Sequence, residues 1–336
     1  MLILSEFDIQ FRLPGSTAVV ALLHLHPSLE PRLRSGNELL VRHLATPAFG
    51  QPVPAGSGQS TISSVDYIDS FGNRCARFVA PPGYLWLSGS SVTDADPNPD
   101  QIYGYALQTR IEDLPSEVLQ FLLPRYCQVD QFGAIAQDLF GSIPPGWTRA
   151  VAVRDWVHKK VEFNYNAARP TKTAMDVFTE RIGVCRDFQH LAVTLSRCLN
   201  IPARYVTGYI GDIRRPYSGP GDFSAWYQVF LDGHWINLDA RHNYPRRGRL
   251  LMAAGRDAAD VAITTSFRAA YLTTSTPIRT RLELTNIWQK NCRRLGDDRS
   301  SGDCLRSNTE TLLGAIDKAA YEKRSFRQLR LFQTRS

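Results

Sequence analysis

The sequence has no long hydrophobic run: none approaches the about 20 apolar residues that a helix needs to cross a bilayer, so no membrane span is expected. Its first residues, Met1-Leu2-Ile3-Leu4-Ser5-Glu6, lack the basic segment and apolar stretch of a secretory leader, and a cytoplasmic location is the expectation. The six cysteines, at 75, 127, 185, 198, 292 and 304, form no C-x-x-C pair and no metal-ligand spacing. That pattern argues against a zinc module and against a disulfide framework, and in a reducing compartment these should be free thiols. No internal repeat is present, and no metal or cofactor is expected.

A surplus of one charge is also missing from most of the chain. The net charge is +7, but residues 277–336 hold 13 Lys/Arg against 7 Asp/Glu, leaving 26 against 25 elsewhere. A neutral body removes most of the support for a nucleic-acid partner, and the basic character belongs to the last sixty residues. With 336 residues, 43% hydrophobic and 21% charged, the chain is ordinary globular material, long enough for two domains.

Residues 1–112 read as β-rich. Phe7-Asp8-Ile9-Gln10-Phe11-Arg12-Leu13 alternates, Thr17 to Leu25 is a β-branched apolar run, and Ser60–Ile68, Arg74–Val79 and Tyr84–Leu87 continue the pattern between turn-forming clusters. A small sandwich or barrel is expected. Val92 to Asp100 reads as a loop; it lacks the glycine and the twelfth-position glutamate of a calcium-binding EF-hand.

Residues 113–276 change to helical spacing, with helices expected over Ser116–Leu123, Phe132–Leu139, Trp147–Val161 and Cys185–Leu199. Strands follow over Ala203–Ile210, Phe223–Leu231 and Trp235–Leu238, the last two joined by an Asp232-Gly233 hairpin turn. The fold class is therefore α+β, a helix packed on an antiparallel sheet. Residues 277–336 read as a basic extension with weak helical potential at Ile278–Arg294 and Asn308–Leu331.

Chemistry concentrates at Cys185, which opens the most regular helix. A helix N-terminus carries the positive end of the backbone dipole, which favours a thiolate, and its N–H groups can stabilise an oxyanion formed beside the sulfur. Asp187, in the first turn, is read as support for the helix dipole, and His190 as a core histidine bonded to backbone. His234 and His158 are read as solvated. Arg241, Arg246, Arg247 and Arg249 are read as a solvated basic loop.

Gly183-Val184-Cys185-Arg186-Asp187-Phe188 followed by Leu199-Asn200-Ile201-Pro202-Ala203-Arg204-Tyr205-Val206-Thr207-Gly208-Tyr209 resembles the transglutaminase-like superfamily. The likeness continues through Phe223-Ser224-Ala225-Trp226, Trp235-Ile236-Asn237-Leu238-Asp239 and Gly255-Arg256-Asp257-Ala258-Ala259-Asp260-Val261-Ala262, and covers roughly residues 1–268. It is closest to bacterial members with a β-rich N-terminal domain, and implies a papain-like thiol fold.

The resemblance also implies a Cys-His-Asp triad acting on a protein or peptide substrate, with Cys185 matching the nucleophile and Asp239 the carboxylate. The histidine slot, two residues before the strand tryptophan, holds Ser224. Serine cannot serve as a general base near neutral pH, and losing such a group costs roughly 10²–10⁴ in rate. His242, three residues past Asp239, is the substitute base to consider, and Tyr165 is an oxyanion donor or a packed aromatic. Two readings follow. One is a thiol hydrolase or acyltransferase with an unconventional base; the other is a pseudoenzyme that binds protein or peptide. Oligomeric state is left open.

Overall fold

The computed structural model describes residues 1–44, 60–124, 126–210 and 223–282. The N-terminal strands are β1 (Leu2–Leu13), β2 (Thr17–Ala21), β3 (Leu33–Gly36), β4 (Leu40–Leu44), β5 (Ser60–Thr61), β6 (Val65–Ile68), β7 (Arg74–Ala80) and β8 (Gly83–Asp94). Period-two patterning puts Phe7, Ile9 and Leu13 of β1 inside, against Leu85 and Leu87 of β8 and Phe78 of β7. Positions 92–94, expected as loop, extend β8, because Leu2, Ile3 and Leu4 supply ladder partners for Asp94, Thr93 and Val92.

Next come α1 (Ser116–Leu119), α2 (Val129–Phe140), α3 (Trp147–Lys160), β9 (Glu162–Phe163), α4 (Ala174–Glu180), β10 (Ile182–Gly183) and α5 (Cys185–Cys198). The described elements end with β11 (Ala203–Ile210), β12 (Ser224–Leu231), β13 (His234–Leu238), β14 (Arg249–Gly255), β15 (Thr264–Ser266) and β16 (Tyr271–Leu282). The β12–β13 turn has φ of 50° at Asp232 and 77° at Gly233. Two successive positive φ angles are what a tight hairpin requires, which is why an Asp-Gly pair marks it.

Three sheets carry the architecture: β16-β1-β8-β4-β5 with β3 added on β8, β15-β2-β7-β6, and the antiparallel β13-β12-β11-β14. The first two face one apolar core and form the β-rich unit. It joins strands far apart in sequence, since β15 pairs with β2 and β16 pairs with β1 across position 277. Residues 278–282 are therefore strand rather than helix, in keeping with the threonine-rich run Thr273-Thr274-Ser275-Thr276 that leads into them. The remaining helical expectation, to Arg294 and over Asn308–Leu331, lies outside the described residues.

Helix α5 lies on β11 and β12 and is flanked by α2, α3 and α4. It is buried all round rather than on one stripe, with every side chain from Arg186 to Arg197 enclosed. Most of its polar members find partners inside the protein, the buried Nδ1 of His190 being an exception. Arg197 donates to the carbonyl oxygens of Ala203 (3.0 and 2.8 Å), Leu123 (2.8 Å) and Arg256 (2.6 Å), tying the helix end to β11, the α1–α2 connection and the end of β14.

The two units share packing. Tyr209, Leu250 and Met252 of the third sheet enter the β-rich core. Asn73, fully buried, pairs in both directions with the Ala254 backbone at 2.9 and 2.8 Å. Among the described residues no helix is long and apolar enough to cross a membrane.

Candidate active site

Val184 is extended, and the chain turns directly into α5 at Cys185. The turn is locked by Asp187, whose Oδ2 accepts the Val184 N–H at 2.9 Å, as a residue in the third helical position does when it caps. Gly183 makes room for this carboxylate: a Cβ there would stand 2.6 Å from Asp187 Cβ and 2.8 Å from Oδ2. Arg186 neutralises it through Nε (3.0 Å) and Nη2 (2.9 Å) on Oδ1, and Asp187 is fully buried. Asp187 thus supports the helix, as expected. Ahead of the turn, β10 pairs in parallel with β9, bringing Phe163 beside Gly183.

Cys185 is half-buried, against the apolar cluster of Leu22, Tyr205, Ala225 and Val261. Burial first, and then the charge of the neighbouring Cys185, raise the Tyr205 phenol well above its ordinary value, so it stays protonated. Cys75 and Cys198 are each pushed up to about 11, chiefly by burial. Both therefore stay protonated near neutral pH and pack as small hydrophobes.

Asp239 follows β13 directly and its side chain is 1% exposed. Both oxygens are occupied. Oδ1 accepts the N–H groups of Arg241 (3.0 Å) and His242 (3.1 Å), together with Gln189 Nε2 (3.3 Å). Oδ2 stands 3.0 Å from His242 Nδ1 and 3.5 Å from Arg249 Nη2. Burial alone would raise this carboxyl, but the His242 hydrogen bond and the Arg249 charge hold it well below the usual carboxylate range. Asp239 is therefore ionised at neutral pH. His242 is directed at it through Nδ1, which leaves Nε2 as the nitrogen for other work, and Tyr244 packs edge-on at 6.1 Å.

Ser224 opens β12 opposite Gly208 of β11, half-buried. Its strand neighbour Ala225 belongs to the Cys185 cluster. Tyr165 stands edge-on to Phe163 at 4.9 Å and is 37% exposed. Phe163 in turn lies 6.5 Å from Phe188 of α5 and beneath the Arg241 guanidinium at 3.7 Å, so Tyr165 borders the turn carrying His242.

Three features escaped the sequence reading. Gln189, one helical turn beyond Cys185, bonds Ala225 O (3.2 Å), Asp239 Oδ1 (3.3 Å) and the Ala240 N–H (3.2 Å). His158 is not merely solvated: its Nδ1 reaches the carbonyl oxygens of Ala240 (3.2 Å) and Arg241 (3.0 Å). The arginine run is not a solvated loop either. Arg246 is buried, the Arg249 side chain is 6% exposed, and Arg249 Nε donates to Asp100 Oδ2 at 2.8 Å. A polar residue at i+4 from Cys185, within a helix of buried residues, was the one signal available for Gln189. Partners 82 and 149 positions away left none for His158 or Arg249. His190, by contrast, is a core histidine as expected, with Nε2 accepting the Ala258 N–H at 3.1 Å. Among the described residues no group of three or more His, Cys, Asp or Glu could hold a metal ion.

Residues 133–240, from within α2 to Ala240 just past Asp239, match the sequence model of the transglutaminase-like superfamily. An uncharacterized protein of Mycobacterium leprae is 29% identical over 210 residues, 59% of this chain and 74% of that protein. An uncharacterized protein of Mycobacterium tuberculosis is 26% identical over 246 residues, 67% and 76% of the respective chains. The crystal structure of a candidate cysteine protease from Cytophaga hutchinsonii aligns with a TM-score of 0.70 at 28% identity, covering 85% of this chain and 92% of that one.

Proposed function

We propose that this chain, a member of the transglutaminase-like superfamily, is a thiol hydrolase or acyltransferase that acts on peptide or isopeptide amides through a thioester on Cys185. The observation that carries the reading is the contact between His242 Nδ1 and Asp239 Oδ2 at 3.0 Å, tied through Gln189 to the helix that Cys185 opens. It supplies an oriented imidazole although the usual histidine slot holds Ser224.

In this mechanism the Cys185 thiolate adds to the amide carbonyl carbon, and the carbonyl π electrons move to oxygen. The N-terminal end of α5 stabilises that oxyanion. Collapse breaks the C–N bond, and the His242 imidazolium gives its proton to the departing amine. Water, or a second amine, then attacks the thioester while neutral His242 takes its proton, and the thiolate is released. Asp239 stays ionised throughout and holds the ring by Nδ1.

Ser224 supports a second reading, in which the cleft binds peptides without cleaving them. The test is turnover of a peptide library, followed by mass spectrometry, for wild type, Cys185→Ala, His242→Ala and Ser224→His. Acyl transfer predicts wild-type turnover that both alanine variants abolish. Turnover that appears only in Ser224→His would establish the binding module instead.

A further inference from the structure

Gln189 is fully buried in α5, one turn after Cys185, and its amide satisfies three groups on two other elements. The Nε2 protons go to Ala225 O (3.2 Å) and Asp239 Oδ1 (3.3 Å), and Oε1 accepts the Ala240 N–H (3.2 Å). The opposite amide orientation would turn an oxygen toward two acceptors, so the contacts fix which atom is which. The Ala240 peptide is gripped on its other side by His158, whose Nδ1 stands 3.2 Å from Ala240 O. Asp239 also bonds the next two N–H groups, at Arg241 and His242. The turn that carries His242 is thus clamped from α5, from α3 and from within.

We infer that Gln189 is a positioning residue: it sets the His242–Asp239 pair in register with Cys185 by binding the start of β12, the carboxylate and the turn backbone in one amide. Its bearing on reactivity rests on the acyl-transfer reading; its grip on the turn does not. Gln189 thus bonds α5 directly to the carboxylate that orients His242, and its loss would free the turn to shift relative to Cys185.

Gln189→Met keeps length and volume but removes all three bonds. Gln189→Glu keeps the acceptor for Ala240 and sets a second carboxylate against Asp239. Two readouts follow in full-length protein that melts cooperatively: the downfield Nδ1–H proton resonance of His242, assigned by its loss in His242→Ala, and the pH profile of Cys185 alkylation by iodoacetamide. The expected result is loss or displacement of the resonance in Gln189→Met and about tenfold slower Cys185 alkylation at pH 6. Gln189→Glu should repeat both as its carboxyl ionises. A resonance and profile that superpose on wild type in either folded variant would overturn the inference and leave Gln189 as packing. If wild-type Cys185 instead reacts like an ordinary thiol, indifferent to His242→Ala, the acyl-transfer reading falls, while the resonance still decides the positioning role. Hydrogen exchange of the wild-type Ala240 amide needs no variant. Exchange only through global unfolding fits the clamp, and fast local exchange refutes it.

Discussion

Asp239 Oδ2 and His242 Nδ1 lie 3.0 Å apart across three residues of chain, and the carboxylate is almost wholly enclosed. A buried carboxylate survives there because Oδ1 accepts three N–H groups, Oδ2 faces His242 Nδ1, and the Arg249 guanidinium lies 3.5 Å away. The imidazole is thereby held with Nδ1–H toward the carboxylate. Asp239→Asn would turn an amide N–H toward that nitrogen or flip the ring, so turnover is expected to fall about 10²–10⁴-fold. The sign of the pH effect on stability is fixed by the depressed carboxyl. Its contribution is complete above the unfolded value of about 3.9 and is lost as pH falls through the lower folded value. A kinetic comparison of the two proteins, with unfolding curves from pH 7 down to 3, checks both parts.

Thiol chemistry should be sharply divided along the chain. Burial pushes Cys75 and Cys198 up to about 11, leaving very little thiolate at neutral pH. Cys185, at a helix N-terminus and half-buried, is expected to be carbamidomethylated at pH 6–7 while those two remain unmodified until the protein is denatured. Peptide mapping after timed iodoacetamide exposure decides this; equal labelling of Cys185 and Cys198 would contradict it.

The sequence spoke clearly where local chemistry dominates. Ala203–Ile210 follows from an apolar β-forming run, the β12–β13 hairpin from Asp232-Gly233, and the nucleophile turn from Gly183 preceding a capping Asp187. What it concealed depends on distant partners. The return of β16 to β1 needs residues about 270 positions apart to pair, and periodicity carries no such information. Arg249 reads in sequence like a residue of a solvated basic loop but is drawn inward by Asp100 and Asp239. His242 was identifiable only as a histidine near the carboxylate; its ring direction follows from a turn held by Gln189 and His158.

Arg197 offers a test of what holds the layers together. Its guanidinium serves carbonyl oxygens at Ala203, Leu123 and Arg256, which belong to three separate segments. Arg197→Met fills similar volume but strands the buried Ala203 carbonyl and leaves the part-buried Leu123 and Arg256 carbonyls without their donor. Each unsatisfied buried group costs on the order of 1–3 kcal/mol, and relaxation of the carbonyls recovers part of that, so a net loss of roughly 3–5 kcal/mol is expected. Arg197→Lys should recover little, since one ammonium cannot match a planar fork reaching three directions. Urea unfolding should show a lower midpoint at unchanged slope in both variants.

His190 links acid stability to the same helix. Its ring is completely enclosed, Nε2 accepts the Ala258 N–H, and burial together with Arg186 and Arg197 lowers it to about 3. An unfolded histidine titrates near 6.5, so between about 6.5 and 3 the unfolded chain binds a proton that the folded chain refuses. Stability from this site is therefore complete above the unfolded value and is lost as pH falls, at up to about 1.4 kcal/mol per unit. His190→Gln keeps an acceptor for Ala258 but cannot titrate. It should be less stable than wild type at pH 7, where the ring's packing is missed, yet lose less stability between pH 6.5 and 4. His24 and His26, also depressed by burial, titrate in both proteins and cancel in the difference. Parallel stability curves across that range would mean that His190 admits a proton in the folded state.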